Sequence, residues 1–244
     1  MAIDSLLLTS AHLRTFVGSI PLTNASSFFF QRDQRLFVVT SRHVMLDEGS
    51  NHHPDRIEIE LHIDPGNMAK SIGFSMPLYR DGRSVWRQGL DDAGAVDVAV
   101  LEIERAALPQ PTVYRAFTPA HLVDPGEAVE IGASVLIVGF PLGFHDTLHH
   151  MPVVRQAVIA SSFGLRFQGQ GYFLTDARTH RGASGAPVVM RATDATPTPD
   201  DLPWRLLGIH SSRLDVGTRD IVQDEALGLN CAWYADVLMT LTEG

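Results

Sequence analysis

The chain of 244 residues contains a single cysteine, Cys231, and a single lysine, Lys70. One cysteine cannot form an intramolecular disulfide, so packing has to hold the fold, and Cys231 itself is expected to be a buried small residue. The apolar runs are too short to cross a bilayer, and the start of the chain lacks the basic leader of a secretory signal. We therefore expect no membrane partner and a cytoplasmic location.

Basic residues are outnumbered by acidic ones, and the net charge is −9. This balance argues against a nucleic-acid partner, because such surfaces need clustered cations. Two histidine-rich segments, NHHPD at 51–55 and HDTLHH at 145–150, lack a third or fourth ligand at a spacing typical of zinc sites. We therefore expect no metal and no cofactor.

Short β-rich runs separated by turn signals fill most of the chain. RIEIELHI, at 56–63, alternates apolar and polar residues as a half-buried strand does, whereas VDVAVLEI and SVLIVGF are continuous apolar runs typical of buried strands. The pattern predicts an all-β protein built of barrels or a sandwich. RATDATPTPDDLPW, at 191–204, is predicted to be an exposed loop.

Helical signals are confined to short pieces. One follows His43, and the other is the C-terminal segment, where Trp233, Val237, Leu238 and Leu241 recur at helical spacing.

Three separate segments carry residues that suit acyl-transfer chemistry. His43 follows the apolar run LFVVTSR, Asp97 opens the apolar run DVAVLEI, and Ser184 lies in the glycine-rich segment RGASGAP. A carboxylate at the head of a buried strand needs a partner, and a histidine ring N–H is a suitable one. The order His, Asp, Ser also differs from that of α/β-hydrolases, in which the serine comes first.

These segments resemble those of chymotrypsin-like (trypsin-like) serine proteases of the disulfide-free bacterial type. VTSRHV is similar to the family's Thr-Ala-Ala-His segment, DVAVL to its Asp-Ile-Ala-Leu-Leu, and RGASGAP to its Gly-Asp-Ser-Gly-Gly-Pro; LLGIHSS and VGFPLGF also match. The resemblance implies two six-stranded antiparallel β-barrels with the site between them, and a short C-terminal helix. The expected organisation is one peptidase domain, 1–244, with barrels at 12–120 and 121–235 and a helix at 236–244.

The resemblance also implies a role for each site residue. Ser184 would attack the scissile carbonyl, His43 would take and return its proton, and Asp97 would orient the imidazole. The backbone N–H groups of Gly182 and Ser184 would form the oxyanion hole. In zymogen members of the family, an aspartate stands at the position of Ala183 and pairs with the new N-terminal amine to form the oxyanion hole. Ala183 has no charge for such a pair. The loop that carries the oxyanion hole therefore has to be preformed, or ordered by a ligand or a protein partner.

The specificity pocket is expected just before the serine and on the strand that follows it. Arg178 stands where tryptic enzymes carry an aspartate, so tryptic specificity is not expected. Thr179 and His210 resemble the pocket of glutamyl endopeptidases and picornaviral proteases, which implies a preference for Glu or Gln. A hydroxyl and an imidazole N–H can both donate to a carboxylate or amide oxygen. The substrate backbone would pair with Ser211, Ser212 and Arg213.

Two functions remain open from the sequence. The first is a serine endopeptidase that cleaves a protein or peptide substrate through an acyl-enzyme. The second is a peptide-binding module with the protease fold that is catalytically silent or activated by a partner. In either case, targeting would come from another protein, since the two barrels account for the chain.

Overall fold

The structure is a computed structural model that describes residues 3–124, 127–192, 202–213 and 228–244. Most of the segment predicted to be an exposed loop, 191–204, falls outside these residues. Within them, none of the helices is long and apolar enough to cross a membrane.

The first half of the chain forms one antiparallel sheet and a small hairpin. The strands of this half are β1 (Ser10–Val17), β2 (Ile20–Arg32), β3 (Arg35–Thr40), β4 (Arg56–His62), β5 (Ser71–Pro77), β6 (Tyr79–Arg80), β7 (Arg83–Ser84), β8 (Trp86–Asp91) and β9 (Gly94–Ile103). The sheet order is β5-β4-β1-β2-β3-β9-β8, and β6 pairs with β7. In β4, Ile57, Ile59 and Leu61 are buried, as the alternation of RIEIELHI predicts.

The second half forms a closed barrel. Its strands are β10 (Ser134–Gly139), β11 (Val153–Ile159), β12 (Tyr172–Asp176), β13 (Pro187–Arg191), β14 (Trp204–Arg213) and β15 (Leu229–Tyr234). They close in the order β10-β11-β12-β15-β14-β13. Closure pairs every strand on both sides, which removes the exposed edges that an open sheet would leave.

Helical structure is limited to short segments in the described parts of the chain. The two α-helices are α1 (Arg42–Met45) and α2 (Val237–Leu241). Single 3-10 turns occupy Ser5–Thr9, Arg105–Ala107, Pro119–His121, Pro141–Gly143 and Phe167–Gly169. Trp233 lies in β15 rather than in the C-terminal helix, because its backbone pairs with Tyr172 of β12.

One hydrophobic cluster joins the two halves. It contains Phe28 and Val98 from the first sheet, Ile209 and Trp233 from the barrel, and Leu238 from α2. Burial of this mixed cluster holds the sheet against the barrel, and the cleft between them receives residues from both.

The all-β class, the closed six-stranded barrel and the short C-terminal helix are confirmed. The first sheet has seven strands rather than six, since both members of the β8–β9 hairpin join it. Cys231 is a free, buried cysteine.

Candidate active site

His43 and Asp97 are brought together by two neighbouring strands. His43 lies in α1, which follows β3, and Asp97 lies in β9, which pairs with β3. Val44 and Met45 are buried and anchor the short helix. The His43 Nδ1 atom is 2.7 Å from Asp97 Oδ2, and the His43 backbone N–H donates to Asp97 Oδ1 at 2.8 Å. The carboxylate therefore fixes both the ring and the backbone of the histidine.

Ser184 reaches the same histidine from the barrel side of the cleft. Its Oγ atom is 3.0 Å from His43 Nε2. The hydroxyl also lies 2.9 Å from the carbonyl oxygen of Ser211, so two acceptors compete for its one proton. The three residues proposed from separate motifs thus form one connected chain of hydrogen bonds.

Burial alone would lower the pKa of His43. The hydrogen bond and the negative charge of Asp97 outweigh that effect, so the pKa of His43 is raised above its ordinary value of 6.5. An imidazole of raised pKa is a stronger base towards the Ser184 proton, and its protonated form is stabilised by the adjacent carboxylate.

Gly182 and Ser184 line the cleft, and the contacts of their loop bear on their two backbone amides. The Arg181 carbonyl accepts a hydrogen bond of 2.5 Å from the Leu142 N–H. Because a trans peptide directs its C=O and N–H in opposite directions, this bond turns the Gly182 N–H away from Leu142. Within the described residues, neither the Gly182 nor the Ser184 amide donates a hydrogen bond. Both are therefore available to an oxyanion.

Glycine is required at position 182. Its φ of +89° lies in the left-handed region, and a Cβ there would stand 2.7 Å from the Phe140 carbonyl oxygen. The next residue, Ala183, is buried and carries no charge. The loop is shaped by backbone contacts, among them Ala183 N–H to the His180 carbonyl at 3.1 Å and Ala186 N–H to the Ala183 carbonyl at 3.0 Å.

A cleft of about 760 Å³ opens beside the triad. Its lining includes His43 and Ser184, with Leu22 and Leu142 contributing apolar surface. Leu142 is exposed and has a φ of +55°, which is uncommon for a residue other than glycine.

Sequence reasoning assigned Ser211 to the substrate backbone and missed its side chain. The Ser211 hydroxyl donates a short hydrogen bond to Asp97 Oδ2, the same oxygen that faces His43 Nδ1. Among the described residues, the carboxylate therefore accepts three hydrogen bonds. The segment GIHSS contains no local motif that predicts this role, because the partner, Asp97, lies on a strand of the other half.

The predicted pocket residues take different positions. Arg178 and Ser212 are exposed, whereas Thr179 and His210 are buried. Of Arg213 only the backbone is described, and residues 214–227 lie outside the described part of the chain. Burial, followed by the charge of His43, lowers the pKa of His210 to about 4, so the ring is neutral at pH 7.

The Thr179 hydroxyl is already engaged. It donates a short hydrogen bond to Asn230 Oδ1, while Asn230 Nδ2 donates to the carbonyls of Ala177 and Gly228, each at 2.8 Å. The Thr179 proton is therefore not free for a substrate, contrary to the sequence interpretation. Asn230 itself was missed; its signal was an amide side chain within the apolar strand LGLNCAW.

The histidine-rich segments are spread over separate local contacts. His52 Nε2 lies 3.0 Å from the Val44 carbonyl, His145 Nδ1 lies 2.6 Å from the Gly143 carbonyl, and His149 pairs with Asp146. Over the described ranges, no group of three or more His, Cys, Asp or Glu residues could hold a metal ion.

Comparison with protein families gives a match that covers most of the chain. Residues 25–194, which include His43, Asp97 and Ser184, match the model of the trypsin-like peptidase domain. The chain belongs to the trypsin-like peptidase family. Membership confirms the resemblance that the motifs indicate.

Solved structures support the fold of this trypsin-like peptidase domain. A serine endoprotease from Yersinia pestis superposes with a TM-score of 0.55 at 18% identity, covering 98% of this chain and 63% of that chain. The Rv3671c protease of M. tuberculosis, in an inactive form, gives a TM-score of 0.50 at 15% identity, with 98% and 90% covered. The present chain thus spans less than two thirds of the Yersinia protein. A search of curated proteins finds no match.

Proposed function

We propose that this domain hydrolyses peptide bonds by a His43–Asp97–Ser184 triad through an acyl-enzyme. The observation that carries the proposal is the chain of contacts from Asp97 through His43 to Ser184, at 2.7 Å and 3.0 Å. Both distances suit proton transfer between nucleophile and base and orientation of the base by the carboxylate.

In the first half-reaction, Ser184 Oγ bonds to the scissile carbonyl carbon while its proton passes to His43 Nε2. The carbonyl oxygen becomes an oxyanion that accepts hydrogen bonds from the Gly182 and Ser184 amides. The C–N bond then breaks, and the proton on His43 goes to the departing amine. In the second half-reaction, His43 takes a proton from water, and the water oxygen bonds to the acyl carbon. The bond from that carbon to Ser184 Oγ then breaks, the acid product leaves, and the proton on His43 returns to Ser184 Oγ.

An activity-based probe tests this proposal against the peptide-binding alternative. A fluorescent fluorophosphonate should label the wild-type chain, and Ser184→Ala should abolish the labelling. Ser50→Ala is the matched control, because Ser50 lines the same cleft without contacting the triad. A wild type that stays unlabelled would favour the silent, peptide-binding module.

For the substrate, we infer a preference for glutamine, and more weakly for glutamate, before the scissile bond. A neutral His210 has one ring N–H to donate, whereas the Thr179 oxygen can only accept, since its proton lies on Asn230. One donor and one acceptor complement a primary amide better than a carboxylate.

A peptide-library digest tests this preference. The wild type should cleave after Gln more often than after Glu, and His210→Ala should remove the preference while fluorophosphonate labelling persists. An unchanged cleavage profile in His210→Ala would rule out recognition by this histidine.

A further inference from the structure

The hydroxyl of Ser26, in β2, connects three segments at the edge of the loop 181–184, which we call the oxyanion loop. Ser26 Oγ donates to the Gly182 carbonyl at 2.7 Å and accepts from the Phe140 backbone N–H at 2.9 Å. Gly182 supplies an oxyanion-hole amide, and Phe140 precedes the turn whose Leu142 N–H holds the Arg181 carbonyl. One buried hydroxyl therefore touches both structures that orient the Gly182 amide.

The backbone of Ser26 makes further contacts with the same region. Its N–H donates to the Ser184 carbonyl at 2.9 Å, and its carbonyl accepts from Thr40 Oγ1 at 2.8 Å. The side chain is fully buried, and a Cβ at Gly139 would collide with Ser26 Oγ. The Gly139 backbone thus packs closely against the hydroxyl.

The loop needs such an anchor because of its composition. Gly182 has no side chain to restrict its torsions, and Ala183 has no charge with which to hold the loop. Gly182 lies between two planar peptide groups. The Leu142 N–H binds the carbonyl of the first, which belongs to Arg181, and the Ser26 hydroxyl binds the carbonyl of the second, which belongs to Gly182. With both planes held, the Gly182 N–H is restricted to one direction, and Gly182 lines the cleft.

We propose that Ser26 is a positioning residue that keeps the oxyanion loop preformed in the absence of a partner. The inference rests on the proposed function, because it assigns Gly182 to the oxyanion hole. It also selects between the two alternatives left by the sequence, a preformed loop and a loop ordered on binding.

The neighbouring residue provides a matched control. Ser27 is also fully buried in β2, and its hydroxyl also donates to a backbone carbonyl, that of Ala11 at 3.0 Å. Ser27→Ala therefore removes the same kind of hydrogen bond from the same strand, but away from the oxyanion loop.

The test compares Ser26→Ala, Ser27→Ala and wild type by the kinetics of fluorophosphonate labelling. Loss of one oxyanion-hole donor slows acyl transfer by about 100- to 1000-fold, so a misdirected donor in Ser26→Ala should lower the labelling rate constant by about 10- to 100-fold. The probe's initial binding constant should stay unchanged, and Ser27→Ala should label within about two-fold of wild type. Equal labelling rates in the two variants would overturn the proposal.

Hydrogen exchange provides a readout that does not depend on activity. Peptides spanning 179–186 should exchange faster in Ser26→Ala than in Ser27→Ala, whereas the thermal midpoints of the two variants should be alike. If the wild type fails to label, the proposed function fails, but this comparison still decides whether Ser26 holds the loop. Equal exchange would refute the anchor. Should Ser26→Ala not fold, Ser26→Cys, which keeps a weak donor, should show the same pattern with smaller effects.

Discussion

At the scale of single residues, the site depends on how Asp97 is surrounded. Its carboxylate accepts from the His43 backbone, the His43 ring and the Ser211 hydroxyl. Three donors leave the carboxylate one orientation. The charge of Asp97 in turn raises the pKa of His43, so base strength and ring geometry have a common origin.

The activity of the wild type should depend on pH through His43. Catalysis requires the neutral ring, so kcat/KM should fall as the pH is lowered through the pKa of His43, with a midpoint above 6.5. Asp97→Asn removes the charge that raises this pKa; the imidazole should then titrate at a lower pH by NMR, and kcat should drop by about 10⁴-fold.

Asp47→Asn is the control for Asp97→Asn. The charge of Asp47 also raises the pKa of His43, but as a smaller cause and without a hydrogen bond to the ring. The NMR titration should therefore shift slightly downward while kcat stays close to wild type. A His43 titration that is unchanged in Asp97→Asn would contradict the assigned pairing.

At the scale of elements, α2 shows how a short helix can hold two halves together. Leu238 and Leu241 are buried in the cluster that contains Phe28 and Val98 of the first sheet. Arg32 Nη1 also donates to the Met239 carbonyl at 2.5 Å. A helix of five residues is not stable alone, so these contacts with the first sheet maintain it.

Truncation of the buried face of α2 should therefore destabilise the whole domain. Leu238→Ala removes a fully buried side chain and should lower the free energy of unfolding by about 2–5 kcal/mol, measured by urea denaturation. Thr240→Ala, on the exposed face of the same helix, should change it by less than about 0.5 kcal/mol. Similar losses in both variants would show that the helix does not pack as described.

At the scale of the whole molecule, the mixed core indicates that sheet and barrel fold together. We propose that 1–244 is one peptidase domain, in which 12–120 and 121–235 are subdomains rather than independent units. In support, the shared cluster draws buried residues from β2, β9, β14, β15 and α2. Separation of the halves would expose this apolar surface to water.

Single-tryptophan variants can test this cooperativity. Trp86 lies in the first sheet, whereas Trp204 and Trp233 lie in the barrel, and all three are buried. Chains that retain Trp86 alone or Trp204 alone, with phenylalanine at the other two positions, should give the same urea midpoint by fluorescence as by circular dichroism. Two separated transitions would instead identify independent domains.

The candidate triad and much of the secondary structure could be predicted from the sequence alone. Three short motifs in a set order gave His43, Asp97 and Ser184, because each motif combines a local backbone need with a reactive side chain. The alternation of apolar and polar residues in RIEIELHI predicted β4, since a strand with one buried face has an apolar residue at every second position. These are local properties, which a linear sequence records directly.

The other side chains that contact the site could be identified only from the folded structure. Ser211 meets Asp97 across 114 residues of chain, Ser26 meets Gly182 across 156, and Asn230 meets Thr179 across 51. Serine and asparagine in strands carry no motif, and their roles arise from the partner that the packed fold places opposite them. The seventh strand of the first sheet and the placement of Trp233 in β15 were settled in the same way, by pairing with distant strands.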